Sequence, residues 1–248
     1  MLITVITIVK DRAKTISGTL DSLAKQSYQD FEFIVVDGGS TDGTLEIIRT
    51  HSIKIDKLIS EPDNGLYDAL NKGVRQASGD YLFFLHSDDE LFDDFSLQKS
   101  VSTISSESNP DIFYAGVVFT KKHGAVYRAW IPSKFTGRGC LSRGWLTPHT
   151  GTFVKRELFF RVGLFKQDFG SCGDYKFLLD LFSLDGVSTL RGNFCVTKMS
   201  YGGVSTALSF GLIKAFMNDA KACRDISSWP HFTAVLKRFR RLRTLWLI

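Results

Sequence analysis

The chain has 248 residues, of which 44% are hydrophobic and 23% are charged, and this composition argues against a disordered protein. The length allows one large α/β domain or two small ones, each with a buried core. The net charge is +5, and the segment KRFRRLR at 237–243 alone carries five positive charges, so the remainder is close to neutral. A near-neutral body argues against a protein that coats nucleic acid.

The cysteines and the first residues indicate the compartment. Four cysteines are too far apart for a CxxC pair or a zinc knuckle, and they suggest no disulfide framework: Cys140, Cys172, Cys195 and Cys223. We therefore expect a reducing, cytoplasmic environment. The start, MLITVITIVKDR, lacks the basic segment of a signal peptide, and no run of 18 apolar residues predicts a transmembrane helix.

The first 90 residues alternate between strand-like and helix-like segments. Short apolar runs predict strands at 2–9, 31–37, 57–60 and 81–86. Apolar residues at helical spacing predict helices at 12–26, 41–50 and 64–78. This alternation is typical of βαβ units, so the fold class is α/β with a mostly parallel sheet that helices cover on both faces.

The pattern becomes less regular after residue 90. It predicts paired strands at 112–119 and 125–131, a helix at 174–184, strands near 187–196 and a last helix at 208–226. We expect one domain over 1–226, with a nucleotide-binding-like half at 1–90 and an irregular half at 91–226. Residues 227–248 form a basic tail.

Carboxylates follow the predicted strands of the first half. Four groups follow the four predicted strands in order: Lys10 with Asp11 after the first, Asp37 after the second, Glu61 with Asp63 after the third, and Asp88 with Asp89 after the fourth. Ligands of open parallel sheets bind outside the carboxyl ends of the strands, so these groups predict a pocket there. The last group ends the stretch LFFLHSDDE at 82–90, where two adjacent carboxylates must be hydrated, paired or bound to a metal.

Two further stretches allow a structural or a functional interpretation. VVDGGSTDGT at 35–44 is a glycine-rich turn that either starts a helix or approaches a ligand, and it matches neither GxGxxG nor a P-loop. SEPDNGLYDALNKG at 60–73 places Asp68 and Lys72 one helical turn apart. They form either a surface ion pair of about 0.3–0.5 kcal/mol or part of the pocket, together with Asn71.

The order of these motifs resembles the family 2 glycosyltransferases of GT-A fold. The stretches that carry the resemblance are TVITIVKDR, FEFIVVDGGSTDGT, SEPDNGLYDALNKG and ASGDYLFFLHSDD, followed by PHTGTFVKRELFFRVGLF, CGDYKFLLDL and YGGVSTAL. The chain is most similar to bacterial enzymes that build exopolysaccharide, colanic acid or O-antigen. The resemblance covers the chain to about residue 210.

The resemblance implies a nucleotide-sugar donor (a UDP-sugar is favoured), Mg²⁺ or Mn²⁺, and an inverting transfer. The implied donor contacts are Ile8, Val9, Lys10, Asp11, Asp37, Asp68, Asn71, Ser87 and Asp88. Asp89, with Asp88, is the implied metal ligand, and Asp174 is the implied catalytic base. The chain departs from the family at Gly38, where many relatives have a second Asp, and at His86, where the DxD triplet starts with Asp.

Two segments suggest further contacts. His149 in WLTPHTG is either structural or a contact to the acceptor, the diphosphate or the metal, and the loop 201–205 could cover the donor. The tail 234–248 predicts a basic amphipathic helix on an anionic membrane surface, or else a solvated terminus. A lipid-linked saccharide acceptor and a peripheral location at the cytoplasmic membrane face would fit the resemblance.

Two other classes of function stay open. A nucleotide-sugar-binding protein without catalysis would be expected to lack Asp89 or Asp174, and both are present. A nucleic-acid-binding protein would be expected to carry interleaved aromatic and basic residues outside the tail, so we expect no nucleic-acid partner.

Overall fold

A computed structural model describes residues 1–121, 124–200 and 211–243 of the chain. The strands within these residues are β1 Ile3–Val9, β2 Phe31–Asp37, β3 Lys57–Ser60, β4 Tyr81–Phe84, β5 Glu90–Leu91, β6 Ile112–Thr120, β7 Val126–Trp130, β8 Thr152–Lys155 and β9 Thr189–Ser200. The α-helices are α1 Ile16–Ala24, α2 Thr44–Thr50, α3 Leu66–Gln76, α4 Ser96–Ser106, α5 Arg156–Val162, α6 Gly173–Phe182, α7 Gly211–Ala222 and α8 Pro230–Arg243.

The described strands form one sheet in the order β3-β2-β1-β4-β8-β6-β9-β5, with β7 added on β6. The pairs among β1 to β4 are parallel, as the sequence predicts. β8 is antiparallel to both of its neighbours, whereas β6 and β9 are parallel. The predicted α/β fold class is therefore confirmed, and the reversed strand β8 joins the parallel half to the mixed half.

Hydrophobic clusters cover both faces of the sheet. Ile6 and Ile8 of β1 pack into a cluster with α3 and α6, while Val5 and Val9 pack into a second cluster with α1, α2 and α4. Successive side chains of a strand point to opposite faces, so a strand that is covered on both sides is apolar throughout. Because of this burial, the early strands lack a polar alternation in sequence.

Several elements differ from the sequence predictions. The short strands β5 and β8 and the helices α4 and α5 were not predicted, and β9 extends to Ser200. The helix predicted from residue 41 begins at Thr44, because the carboxylate of Asp42 accepts a hydrogen bond from the Thr44 amide at 3.0 Å. The predicted covering loop at 201–205 lies outside the described residues.

The C-terminal helices α7 and α8 pack on the domain. The Thr233 hydroxyl donates to the carbonyl of Ser142 at 2.8 Å, and Ala234 is fully buried. Asp219 of α7 pairs with Lys237 of α8 at 2.6 Å. Among the described helices, none is long and apolar enough to cross a membrane.

Candidate active site

The parallel pairing brings the predicted strand-end residues to one edge of the sheet. Asp37 closes β2 opposite Val9 of β1, and Ser60 closes β3 opposite Asp37. On the other side of β1, the turn that begins at His86 follows β4. This edge therefore carries the residues that the resemblance assigns to the donor.

Asp11 and Asp37 fix the loops after β1 and β2 to each other. Asp37 is fully buried, and its carboxylate accepts hydrogen bonds from the hydroxyls of Ser40 and Ser60. Asp11 has a positive φ of 51°, and its carboxylate accepts from the Thr41 amide at 2.8 Å. The Asp11 amide in turn donates to the Ser40 hydroxyl at 2.9 Å. These bonds pre-organise the floor of the crevice, with the backbone of Ile8 and Val9 beneath it.

Two threonines hold the turn at residues 86–89: Thr15, which directly precedes α1, and Thr19 within α1. Thr15 donates to the carbonyl of Ser87 at 2.9 Å, and Thr19 donates to the carbonyl of Asp89 at 2.8 Å. The turn is closed by a hydrogen bond from the Asp89 amide to the His86 carbonyl at 3.0 Å. These bonds hold the backbone from which the two adjacent carboxylates extend.

Asp89 is a buried carboxylate, and hydrogen bonds compensate little for the loss of water around its charge. Its side chain accepts a hydrogen bond from the Ser200 amide at 3.3 Å, and only 4% of the residue is exposed. Burial raises the pKa of Asp89 well above its ordinary value, and the neighbouring charge of Asp88 raises it further. A cation beside this pair would remove both penalties.

The fit to a divalent metal rests on these two carboxylates. Carboxylate oxygens suit Mg²⁺ or Mn²⁺, and a nucleoside diphosphate with water can complete the coordination. In the part of the chain that the structure describes, no three His, Cys, Asp or Glu side chains form a metal-binding group. The protein would therefore contribute few ligands.

His149 lies beside His86 because β8 is reversed. β8 starts where β4 ends, so the 3₁₀ turn His149–Gly151 that precedes β8 meets the turn after β4. The His149 ring is 5.7 Å from that of His86 and stacks on Phe84 at 4.8 Å. Burial and the neighbouring His86 lower the pKa of His149 to about 3, so its ring is neutral. Its Nε2 is buried without a hydrogen-bond partner among the described residues.

Asp174 lies in the first turn of α6, two residues after Cys172, which occupies the N-cap position. The Tyr67 hydroxyl of α3 donates to its carboxylate at 3.2 Å. Burial and the charge of Asp174 raise the pKa of Tyr67, which therefore stays protonated. Burial lowers the pKa of His86, whereas the charges of Asp88 and Asp174 act to raise it. The predicted base Asp174 and Asp88 are therefore both close enough to His86 to influence its pKa.

Asp68 and Asn71 hold loops in the described structure. The Asp68 carboxylate accepts from the Asn64 amide at 3.0 Å and lies 3.5 Å from Lys72, so the ion pair expected from their spacing is present. The Asn71 side chain exchanges two hydrogen bonds of 2.9 Å with the backbone of Phe165. Direct donor contacts of Asp68 and Asn71 stay predictions.

The sequence interpretation missed three supporting residues, Tyr67, Thr15 and Thr19. Tyr67 belongs to the motif SEPDNGLYDALNKG, but its helical position indicated only a core residue. Its partner Asp174 is 107 residues away. The threonines lie in a segment whose sequence shows only helical periodicity, so no local signal marks them.

Comparison with known proteins decides the family. The family model described as "Glycosyl transferase family 2" matches residues 4–163, which is more than half of the chain. The chain belongs to glycosyl transferase family 2. The prediction of a glycosyltransferase is therefore confirmed at the level of the family. The matched range ends before Asp174, whose role stays a prediction.

Curated relatives support this assignment. A "PGL/p-HBAD biosynthesis glycosyltransferase" of Mycobacterium bovis is 30% identical over 200 residues, which cover 79% of this chain and 76% of the relative. "Glycosyltransferase AglE" of Haloferax volcanii is 33% identical over 180 residues, which cover 69% of this chain and 58% of the relative.

Solved structures share the fold of this glycosyltransferase. S. aureus TarS 1-349 in complex with UDP-GlcNAc has a TM-score of 0.69 at 20% identity, and the match covers 90% of this chain and 66% of that chain. The mannosyltransferase PcManGT from Pyrobaculum calidifontis, in complex with GDP-Man and Mn²⁺, has a TM-score of 0.65 at 23% identity, with 97% and 69% covered. The chain spans 64% of the length of TarS 1-349 alone. The likeness confirms the GT-A type of fold.

Proposed function

We propose that this chain is an inverting, metal-dependent glycosyltransferase. It moves a sugar from a nucleotide-sugar donor, preferably a UDP-sugar, to a hydroxyl of a lipid-linked saccharide in the synthesis of a bacterial surface polysaccharide. The observation that carries the proposal is the proximity of two groups to His86: Asp174 with its partner Tyr67, and the turn that holds Asp88 and Asp89. The structural neighbours in complex with UDP-GlcNAc and with GDP-Man and Mn²⁺ support the same classes of ligand.

The geometry supports a direct displacement at the sugar. The acceptor hydroxyl gives its proton to the Asp174 carboxylate while its oxygen forms a bond to the anomeric carbon. The bond from that carbon to the diphosphate oxygen breaks on the opposite face, and the diphosphate leaves with the electron pair. Tyr67 keeps the carboxylate of Asp174 in place, and burial lowers the pKa of both His86 and His149, which disfavours a positive charge on either ring.

Asp88 and Asp89 would hold the metal. A bound Mg²⁺ or Mn²⁺ supplies neutralisation of the charge that develops on the leaving diphosphate. Asp89 is suited to this role because its burial makes an uncompensated charge unfavourable in the absence of a cation. Ser87 and the floor residues Asp11 and Asp37 would contact the nucleoside.

A thermal-shift screen of UDP, GDP, CMP and dTDP, each with Mn²⁺ and with EDTA, tests the donor site first. A ligand that binds the native state raises the unfolding midpoint. We expect one nucleotide to stabilise the protein in the presence of Mn²⁺ only. If none of the four does so, the donor-site assignment is wrong.

The variant Asp174→Asn separates catalysis from binding. We expect it to keep the metal-dependent thermal shift and to lose transfer, because an amide cannot accept the acceptor's proton. A non-catalytic nucleotide-sugar-binding protein would hydrolyse and transfer nothing in either form. Near-normal turnover of Asp174→Asn would show that another group is the base.

An apolar patch on α7 and α8 supports attachment to a membrane surface. The patch consists of five exposed side chains: Ile213 and Met217 lie on α7, Phe232 and Phe239 on α8, and Trp229 directly before α8. Exposed aromatic residues next to cations suit the interface of an anionic bilayer. Of the tail cations, however, Lys237 and Arg238 pair with Asp219, so the aromatic side chains provide more of the contact than the predicted basic tail does.

Flotation with vesicles tests this attachment. We expect the protein to float with anionic vesicles, and the variant Trp229→Ser/Phe232→Ser to remain in solution. Phe95→Ser is a matched control, because Phe95 is an exposed aromatic residue, 56% exposed, far from α8 in sequence. Equal flotation of all three proteins would contradict the proposed patch.

A further inference from the structure

The space beside Gly38 is filled by the carboxylate of Asp63. Gly38 follows β2, and its amide donates to the carbonyl of Val9 at 2.9 Å. A Cβ atom on Gly38 would lie 2.1 Å from Oδ2 of Asp63 and 3.0 Å from its Cγ. Such a contact is far closer than van der Waals packing allows. A larger residue at position 38 would therefore have to displace the Asp63 side chain, which extends from the loop after β3 into this place.

The Asp63 carboxylate is held in this position. Its Oδ1 accepts a hydrogen bond from the Gly65 amide at 2.9 Å. The preceding Pro62 lies against Gly39, and its carbonyl accepts from Lys72 at 3.0 Å. Across 1–121, 124–200 and 211–243, no hydrogen bond to Oδ2 is present. Oδ2 is therefore a fixed acceptor that a ligand can use.

The position of this acceptor fits the nucleoside end of a donor. β1 separates β2 from β4, and adjacent strands lie about 4.8 Å apart, so Gly38 and the turn after β4 are separated by about 10 Å across the sheet edge. That separation is comparable to the span from a diphosphate to its nucleobase. A carboxylate would also repel a phosphate, whereas it accepts a hydrogen bond from a base.

We propose that Asp63 supplies the carboxylate that binds the nucleobase of the donor, in place of a side chain at position 38. The proposal rests on the proposed function and refines it. Asp37, the neighbouring carboxylate, already accepts hydrogen bonds from Ser40 and Ser60, whereas Oδ2 of Asp63 accepts none from the described residues. The aliphatic part of Lys10 lies on the other side of the same space, with Cδ 3.3 Å from the Cβ position of Gly38.

This arrangement selects among bases. An ionised carboxylate only accepts hydrogen bonds. Uracil and thymine offer N3–H and guanine offers N1–H, whereas the corresponding ring nitrogens of cytosine and adenine carry lone pairs. Cytosine and adenine could donate only from their exocyclic amino groups, which would require the base to shift. We therefore expect a donor based on uracil, thymine or guanine, and weaker binding of cytosine and adenine.

The experiment measures the affinities of UDP, GDP, dTDP, CDP and ADP by calorimetry in the presence of Mn²⁺. The variants are Asp63→Gly, Asp63→Asn, Gly38→Asp and the exchange Gly38→Asp/Asp63→Gly, with the exposed Asp30→Asn as a control. We expect the wild type to prefer one of the first three nucleotides at least tenfold over CDP and ADP. Asp63→Gly and Gly38→Asp should each bind that nucleotide at least tenfold more weakly than the wild type. The exchange variant should regain most of the lost affinity.

Asp63→Asn should reduce the ratio between the affinity for the preferred nucleotide and the affinity for CDP, because an amide N–H can donate to N3 of cytosine. The unfolding midpoint of each variant shows that it is folded, and Asp63→Gly and Asp63→Asn test the proposal even if Gly38→Asp fails to fold. Unchanged affinity and base preference in Asp63→Gly would overturn this inference alone. A wild type that binds none of the five nucleotides would overturn the proposed function together with it.

Discussion

The hydrogen bond from Tyr67 to Asp174 can be tested by removing one oxygen atom. Tyr67→Phe deletes the hydroxyl and keeps the ring, which is 5% exposed and stacked on Phe165 at 6.1 Å. A hydrogen bond to a charged group contributes about 1.5–3 kcal/mol, and Asp174 is partly exposed, so we take the lower end. Since about 1.4 kcal/mol corresponds to a factor of ten in rate, we expect kcat to fall about tenfold.

The assay follows sugar transfer at saturating donor and acceptor, together with the thermal midpoint of each protein. Tyr175→Phe is the matched control, because it removes a hydroxyl one residue after Asp174 that contacts Cys223 at 3.4 Å. We expect the donor KM of Tyr67→Phe to be unchanged, since the hydroxyl orients the base and not the nucleotide. If kcat stayed within twofold of the wild type, or if Tyr175→Phe lost as much, Tyr67 would not position Asp174.

Three further predictions concern the site and its support. At pH values above 4, metal-free Asp89→Asn should have a higher unfolding midpoint than the metal-free wild type. Folding raises the pKa of Asp89, so this residue makes the wild-type protein less stable as the pH rises. Mn²⁺ should stabilise only the wild type. The wild type should lose stability as the pH falls from about 6.5 towards 3, because in that range only the unfolded chain protonates His149; this loss should be smaller in His149→Phe. If His149→Phe still transfers sugar, the role of His149 is structural. Gly73→Ala should destabilise by about 1–3 kcal/mol in urea titrations, because its Cβ would lie 2.6 Å from Ile6, while Gly139→Ala, with open space, should not. Equal urea midpoints for the two alanine variants would contradict the packing argument.

The sequence predicts the parallel half well because each strand there is a continuous apolar run between helices of clear period. β8 was missed because four residues, TFVK, carry no such signal, and its reversed direction depends on pairing with β4 and β6. The serine-rich helix α4 was missed for a similar reason, since its buried face has few apolar residues.

The candidate site likewise has one part that the sequence predicts and one part that it does not. Asp88 and Asp89 were predictable because they directly follow a buried strand. The partnership of Tyr67 with Asp174 and the occupation of the Gly38 space by Asp63 depend on the packing of separate loops and helices. No local pattern encodes such contacts.

The contact between Gly144 and α8 makes this position informative in other sequences. Gly144 has a φ of +75°, and a Cβ there would lie 2.4 Å from the Lys237 amide nitrogen. Both the backbone angle and the available space therefore exclude other residues while α8 stays in this place. A family member with a side chain at the aligned position must carry its last helix elsewhere or lack it, so this single position sorts relatives by the architecture of their C-terminus.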